Sequence, residues 1–236
     1  MKKHIYFLLC SSLFLLLFSI SVIDAQTFSS VQKNPFSLTD IPDTRSTTAL
    51  VDLDDDGDID LMSGSADGYF YYFENTGTKS SPSFAPVQKN PFSLTDIPDT
   101  RSTTALVDLD DDGDMDLMSG SADGYFYYFE NIGTKSSPSF ASVQKNPFSL
   151  TDIPDTESTT ALVDLDDDGD MDLMSGSVDG YFYYFENTGT KSSPSFAPVQ
   201  KNPFSLTDIP DTRSTTALVD LDDDGDMDLM SGSVDG

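Results

Sequence analysis

The stretch VDLDDDGDIDLMSGSADGYFYYFEN, Val51 to Asn75, carries the signals on which the fold turns. Its first eleven residues, Val51–Leu61, hold six aspartates and no basic residue. Like charges at that density repel one another, so a folded chain needs a counter-charge for them. Ala66–Gly68 follows as an Ala-Asp-Gly turn, because Asp-Gly accepts the positive φ angles of a hairpin. Tyr69–Asn75 then reads YFYYFEN, an aromatic run with no helical spacing.

The stretch recurs. VDLDDDGDMDL appears at Val107, Val163 and Val219, and NPFSLTDIPDT begins at Asn34, Asn90, Asn146 and Asn202, a strict period of 56. One unit runs from Val31 to Pro86. The copies differ little: Ile59 becomes Met115, Met171 and Met227; Ala66 becomes Val178 and Val234; Thr76 becomes Ile132; Arg45 becomes Glu157. Within a unit the signals are strand and turn. TTALVDL (Thr47–Leu53) and IDLMSGS (Ile59–Ser65) flank the acidic run, YFYYFEN is a third strand, and SFAPVQKNPF (Ser83–Phe92) reads as a fourth extended segment with Pro86 and Pro91 at an edge.

In YFYYF, Tyr69, Tyr71 and Phe73 point one way and Phe70 and Tyr72 the other, so both faces of the sheet are apolar. Such sheets stack on one another. The expected fold is all-β, a β-propeller-like array of four-stranded blades with three full 56-residue copies and a truncated fourth, about 31–86, 87–142, 143–198 and 199–236. An open β array is the alternative. Thr27–Asn34 matches the end of a unit, so in a closed ring this segment could complete the last copy.

The acidic run has ligand spacing. Counting from Asp52, carboxylates fall at positions 1, 3, 5 and 9 (Asp52, Asp54, Asp56, Asp60), with Gly57 at position 6 permitting the bend. Asp58, at position 7, is expected to offer its backbone carbonyl, and Asp55 to face outward. The other copies place Asp108, Asp110, Asp112, Asp114 and Asp116; Asp164, Asp166, Asp168, Asp170 and Asp172; and Asp220, Asp222, Asp224, Asp226 and Asp228 in the same positions. Oxygen ligands in this number favour Ca2+, about one per repeat. An EF-hand would need a glutamate at position 12, where Ser63 stands, and flanking helices. The plain alternative is a solvated acidic turn; the spacing, the recurrence and the lack of nearby lysine speak against it.

Residues 1–25 read as a secretory signal: two lysines, an apolar run from Ile5 to about Ile23, and a small residue at Ala25. An uncleaved membrane anchor is the alternative. The leader holds Lys2, Lys3 and Asp24, a net +1, so a chain of −29 leaves −30 for residues 26–236. That charge repels nucleic acid and anionic lipid and attracts cations. His4 and Cys10, the only His and Cys, leave with the leader. Thiol chemistry, imidazole acid–base chemistry and disulfides leave with them.

DLDDDGDIDLMSGSADG followed by YFYYFENTGT and SPSF resembles the FG-GAP/VCBS repeat family, whose motif is D-x-D-x-D-G-x-x-D. The resemblance covers each copy, although Phe-Gly and Gly-Ala-Pro are missing from the expected places. It implies propeller blades, calcium between the first two strands of each blade, and secretion or surface display in adhesion or glycan-related roles. By position it implies ligands Asp52, Asp54, Asp56, Asp60 and the Asp58 carbonyl.

These readings combine into a secreted or surface calcium-binding repeat protein, not an enzyme, whose partners are calcium and an extracellular protein or glycan. No stable membrane span is expected once the leader is cleaved. A spacer or accessory region of a larger secreted protein is the alternative. Catalysis needs residues placed once, whereas Glu74, Asp67 and Asp43 all recur in other units. The tyrosines of YFYYFEN either form a binding surface or pack between blades. Arg45, Arg101 and Arg213 mark either a recognition rim or a solvated loop, and Glu157 in the third copy favours the loop.

Overall fold

A computed structural model describes residues 4–6, 19–21, 30–42, 45–98, 101–154, 157–209 and 213–232. The chain divides into two compact units, Met1–Lys33 and Asn34–Gly236. In the first, β1 (His4–Tyr6) and β2 (Ser19–Ser21) pair antiparallel, with His4 opposite Ser21. Most of the apolar run and the cleavage position at Ala25 lie outside the described residues. Among the described residues no helix is long and apolar enough to cross a membrane.

The second unit repeats one antiparallel meander. The first blade is β3 (Ser46–Val51), β4 (Asp60–Ser65), β5 (Phe70–Phe73) and β6 (Gln88–Lys89), hydrogen-bonded in chain order. The second is β7 (Ala105–Val107), β8 (Asp116–Gly120), β9 (Phe126–Phe129) and β10 (Gln144–Lys145). The third is β11 (Ala161–Val163), β12 (Asp172–Gly176), β13 (Phe182–Phe185) and β14 (Gln200–Lys201). The fourth holds β15 (Ala217–Val219) and β16 (Asp228–Met230) as a two-stranded sheet. The first strands of successive blades, β3, β7, β11 and β15, lie side by side. The chain is therefore all-β, built from repeated four-stranded sheets as in propeller blades.

The predicted fourth strand is mostly loop. Only Gln88 and Lys89 pair with β5, preceded by an isolated bridge between Phe84 and Asn75. Asn90, Phe92 and Ser93 then take positive φ angles of 45°, 55° and 69°, which end the strand. Asparagine suits that bend because it tolerates the left-handed region. Its amide N–H donates to the Phe70 carbonyl at 2.7 Å and its Oδ1 accepts the Phe70 N–H at 2.9 Å. Gln32 and Lys33, which match Gln88 and Lys89 in the repeat, form no strand.

The core lies between blades. Leu53, Met62, Phe70 and Tyr72 of the first blade meet Leu117, Tyr127, Phe129 and Phe140 of the second, with Leu94 and Ile97 of the connecting segment closing the cluster. Phe70 meets Phe129 edge-on at 5.4 Å, and Phe126 meets Phe185 at the same distance. Burying each such side chain contributes about 1.5–3 kcal/mol. The alternation expected for YFYYF thus holds in β9, where Tyr127 and Phe129 face the first blade and Phe126 and Tyr128 the third.

Serines lock the stack. Ser102, at the head of the second blade, accepts the Ser65 N–H at 2.9 Å and donates to the Tyr69 carbonyl at 2.9 Å. Ser158 and Ser214 repeat this one and two blades on. The approach is so close that a Cβ on Gly64 would stand 2.4 Å from the Ser102 carbonyl oxygen.

Candidate metal centre

The first hairpin of each blade ends on a pair such as Val51 and Asp60, so residues 52–59 must fold back. Asp55 and Gly57 make the bend, with φ of 58° and 96°. A Cβ on Gly57 would meet nothing within 4 Å, so the backbone angle rather than space selects glycine there. Asp55 is exposed, as its position in the spacing predicts.

Backbone amides hold the carboxylates inward. Asp52 accepts the N–H groups of Asp56 and Gly57 at 3.1 and 3.0 Å, and Asp56 accepts that of Asp58 at 3.0 Å. Carboxylate oxygens of Asp52, Asp54 and Asp56 consequently lie within 4.8 Å of one another. Asp108, Asp110 and Asp112 form the same group, as do Asp164, Asp166 and Asp168.

In the first three loops the side chains at positions 7 and 9 stand apart from the three grouped carboxylates. At position 7 the Asp58 side chain itself is buried, 8% exposed, and its Oδ1 has no hydrogen-bond partner. Asp114 and Asp170 repeat this. At position 9 the Asp60 carboxylate stands outside the triad. Its Oδ1 accepts the Asn75 N–H at 2.8 Å, and its Oδ2 accepts the Tyr72 hydroxyl at 2.8 Å and the Leu53 N–H at 3.3 Å. Asp116 and Asp172 are held likewise, by Tyr128 and Asn131 and by Tyr184 and Asn187. These bonds fasten the end of the acidic loop to the third strand. The fourth blade has no described third strand, and there Asp228 joins Asp220 and Asp222 in the triad, while Asp224 and Asp226 are exposed.

Tyr72 and Asn75, and their copies, are site residues that the acidic motif does not reveal. The only signal for them was their fixed spacing from Asp60 in the repeat. One assumption about the surroundings also changes. The ends of Lys135 and Lys191, ammonium groups included, reach the loops: a Cβ on Gly113 or Gly169 would lie 3.1 Å from the lysine Cε and 3.4 or 3.5 Å from its Nζ.

The loops are electrostatically costly as they stand. Burial, then Asp60 and Asp56, push the Asp54 carboxyl above its ordinary range. Burial, then Asp56, Asp54 and Asp52, do the same to Asp58. Asp116 is pushed up to about 7 by burial, against the hydrogen bonds from Asn131 and Tyr128. Buried oxygens without partners sit on Asp54, Asp108 and Asp164 as well as on the position-7 aspartates. A desolvated, unpartnered carboxylate oxygen is expensive unless a cation meets it. These residues fit a hard metal ion, one per loop.

Tyr71 and Tyr72 are buried, as are Tyr127, Tyr128, Tyr183 and Tyr184, so the tyrosines are core rather than surface. Tyr69, Tyr125 and Tyr181 are half-buried beneath Lys89, Lys145 and Lys201, whose ammonium groups stand 3.0 Å from the ring centroids. Asp67 accepts the Tyr71 hydroxyl at 2.9 Å. Asp43 lies outside the described residues. The solvated-loop reading of position 157 is corrected. Glu157 pairs with Arg101 and accepts from Arg213 at 2.8 Å, joining the second, third and fourth blades, while Arg45 stays exposed. The change from arginine to glutamate places a carboxylate where identical copies would set guanidinium groups against one another. Arg101 is held down to about 10 by burial, then by Arg213 and Arg45.

Blades whose first hairpin closes on an aspartate triad define a class of β-repeat proteins with acidic, metal-competent loops. The family model for the FG-GAP-like repeat matches residues 52–119, 108–175 and 164–231, and the chain belongs to that family. Each match runs from one acidic loop into the second strand of the next blade, so it spans the interface as well as the blade. No curated protein matches the chain.

Proposed function

We propose that the chain is a secreted or surface protein whose blades are each held by a structural Ca2+, and that it serves in adhesion or in binding an extracellular protein or glycan rather than in catalysis. The observation that carries the metal reading is the pair of buried, unpartnered carboxylate oxygens in each of the first three loops, on Asp54 and Asp58, on Asp108 and Asp114, and on Asp164 and Asp170, beside three grouped carboxylates. An all-oxygen donor set of this size suits calcium better than magnesium, which demands tighter octahedral geometry. Extracellular modules bind calcium at ~10⁻⁴–10⁻³ M. At roughly twenty times Kd each site then contributes about 2 kcal/mol by mass action. The signal-like pattern of residues 1–25 supports export, and the acidic charge suits a calcium-rich compartment.

A second reading is a spacer or accessory region of a larger secreted enzyme or surface protein. The burial of two of the three tyrosines in each YFYYFEN run favours it, because it removes most of the aromatic surface that a glycan or protein ligand would use. Thermal unfolding with calcium, with magnesium and with EDTA tests the calcium role. Melting should rise with calcium well beyond any equal ionic-strength change; superposed curves would sink it. A glycan array and a pull-down with and without calcium separate binding from spacing.

A further inference from the structure

The second and third acidic loops each have a lysine laid against them by their own blade. Asp116 accepts the Asn131 N–H at 2.8 Å, and the Asn131 Oδ1 accepts the N–H groups of Gly133 and Ser139 at 3.1 and 2.9 Å. Thr134 and Ser137 then exchange N–H···O bonds at 3.1 and 2.9 Å, which leaves Lys135 and Ser136 at the tip of a tight turn. The position-9 aspartate thus anchors the turn that carries Lys135, and the side chain runs back to the bend of the loop. A Cβ on Gly113 would stand 3.1 Å from the Lys135 Cε and 3.4 Å from its Nζ. The third blade repeats this: Asp172 holds Asn187, Thr190 and Ser193 close the turn, and Lys191 Nζ would stand 3.5 Å from a Cβ on Gly169. Glycine at the bend serves twice, for its φ of 97° or 95° and for the room the lysine takes. Gly57 has no such neighbour, so the arrangement belongs to the second and third loops.

The charge of the ammonium decides what it does there. Asp108, Asp110 and Asp112 hold carboxylate oxygens within 4.8 Å of one another, and Asp108 and Asp114 each keep a buried oxygen without a partner. Burial, then Asp112, Asp110 and Asp108, push the Asp114 carboxyl above its ordinary range, and Lys135 acts in the opposite direction. Among the described residues Lys135 forms no ion pair with any one aspartate. The lysine is exposed and its stem flexible, so it offsets the charge of the loop while leaving the space between the carboxylates free. A cation held by the triad and an ammonium at the bend repel each other.

We propose that Lys135 and Lys191 are built-in counter-ions of the second and third loops. Each steadies its loop when no metal is bound and lowers the affinity of that loop for Ca2+. The affinity of these two sites is then set by a side chain outside the ligand set, carried on a turn that the position-9 aspartate fixes. The effect on affinity rests on the calcium reading above; the steadying of the metal-free loop does not.

The test compares the full chain with Lys135→Met, Lys135→Arg and Lys145→Met. Methionine keeps most of the stem without the charge, and arginine keeps the charge. Lys145 stands over the Tyr125 ring in the same blade and controls for net charge. In calcium titration calorimetry at low salt, Lys135→Met should tighten one site by about fivefold, the order expected for one charge facing a divalent ion across solvent. The gain should shrink in high salt, which a packing effect would not do. Lys135→Arg and Lys145→Met should leave that site within about twofold of the parent. In EDTA at low salt the urea midpoint of Lys135→Met should fall below that of the parent, and the two should converge in high salt. Unchanged calcium affinity in Lys135→Met, an equal gain in Lys145→Met, or an EDTA midpoint no lower than the parent's would overturn the inference. A parent that takes up no calcium sinks the calcium reading instead, and the EDTA midpoints then decide for or against the lysine.

Discussion

The Tyr72 hydroxyl donates to Asp60 Oδ2 across 2.8 Å, and this bond ties the third strand of a blade to the end of its acidic loop. The same oxygen accepts the Leu53 N–H, and its twin accepts the Asn75 N–H. One buried carboxylate therefore organises the acidic loop, the strand after it and the turn beyond the third strand. The metal loop and the sheet form one construction, which is why an acidic run can sit in a core-forming hairpin.

Tyr128→Phe should lower stability by about 2 kcal/mol, because it removes one hydrogen bond to a buried carboxylate and keeps the ring in place. In urea the midpoint should fall with an unchanged slope. An unchanged midpoint would mean that Asp116 does not depend on the third strand.

Asp110→Asn should weaken one metal site by tenfold or more and leave the others intact, since the change removes one of three grouped charges. Calcium titration calorimetry on the full chain reads this as one weak site among four. Uniform weakening of every site would show that the loops are not independent.

Gly120→Ala and Gly232→Ala should differ sharply. A Cβ at Gly120 would stand 2.4 Å from the Ser158 carbonyl oxygen, which is backbone and cannot yield cheaply. At Gly232 the nearest atom is the Thr215 side-chain oxygen at 3.2 Å. The first change should cost about 3 kcal/mol and the second much less. Equal melting temperatures for the two variants would refute the close packing of adjacent blades.

Phe70→Leu, Phe129→Leu and the double variant form a cycle across the first interface. Their edge-on contact at 5.4 Å predicts a coupling of about 1 kcal/mol in denaturant unfolding. Strict additivity would place the two rings out of contact.

Glu157→Arg should destabilise the chain although it makes the third copy match the others. It removes the carboxylate that Arg101 and Arg213 share and adds a third guanidinium beside them. A loss of about 2 kcal/mol is expected, partly recovered in high salt. A variant as stable as the parent would return position 157 to a solvated loop.

Sequence by itself determined the repeat, the strand order and the place of the acidic loop. These depend on local patterning: a period of 56, Asp-Gly turns, alternating aromatics and a D-x-D-x-D spacing, all of which act over a few residues. It also marked Asp55 as outward, since that follows from alternation within one loop. Tertiary structure alone decided where position 9 points, because its partners Tyr72 and Asn75 stand 12 and 15 residues away and take up both of its oxygens. It decided that the position-7 side chains of the first three blades are buried. It also turned Glu157 from an odd substitution into a contact with Arg213 across 56 residues. A repeat sequence shows what every copy shares; the contacts between copies are long-range, and only folding brings their residues together.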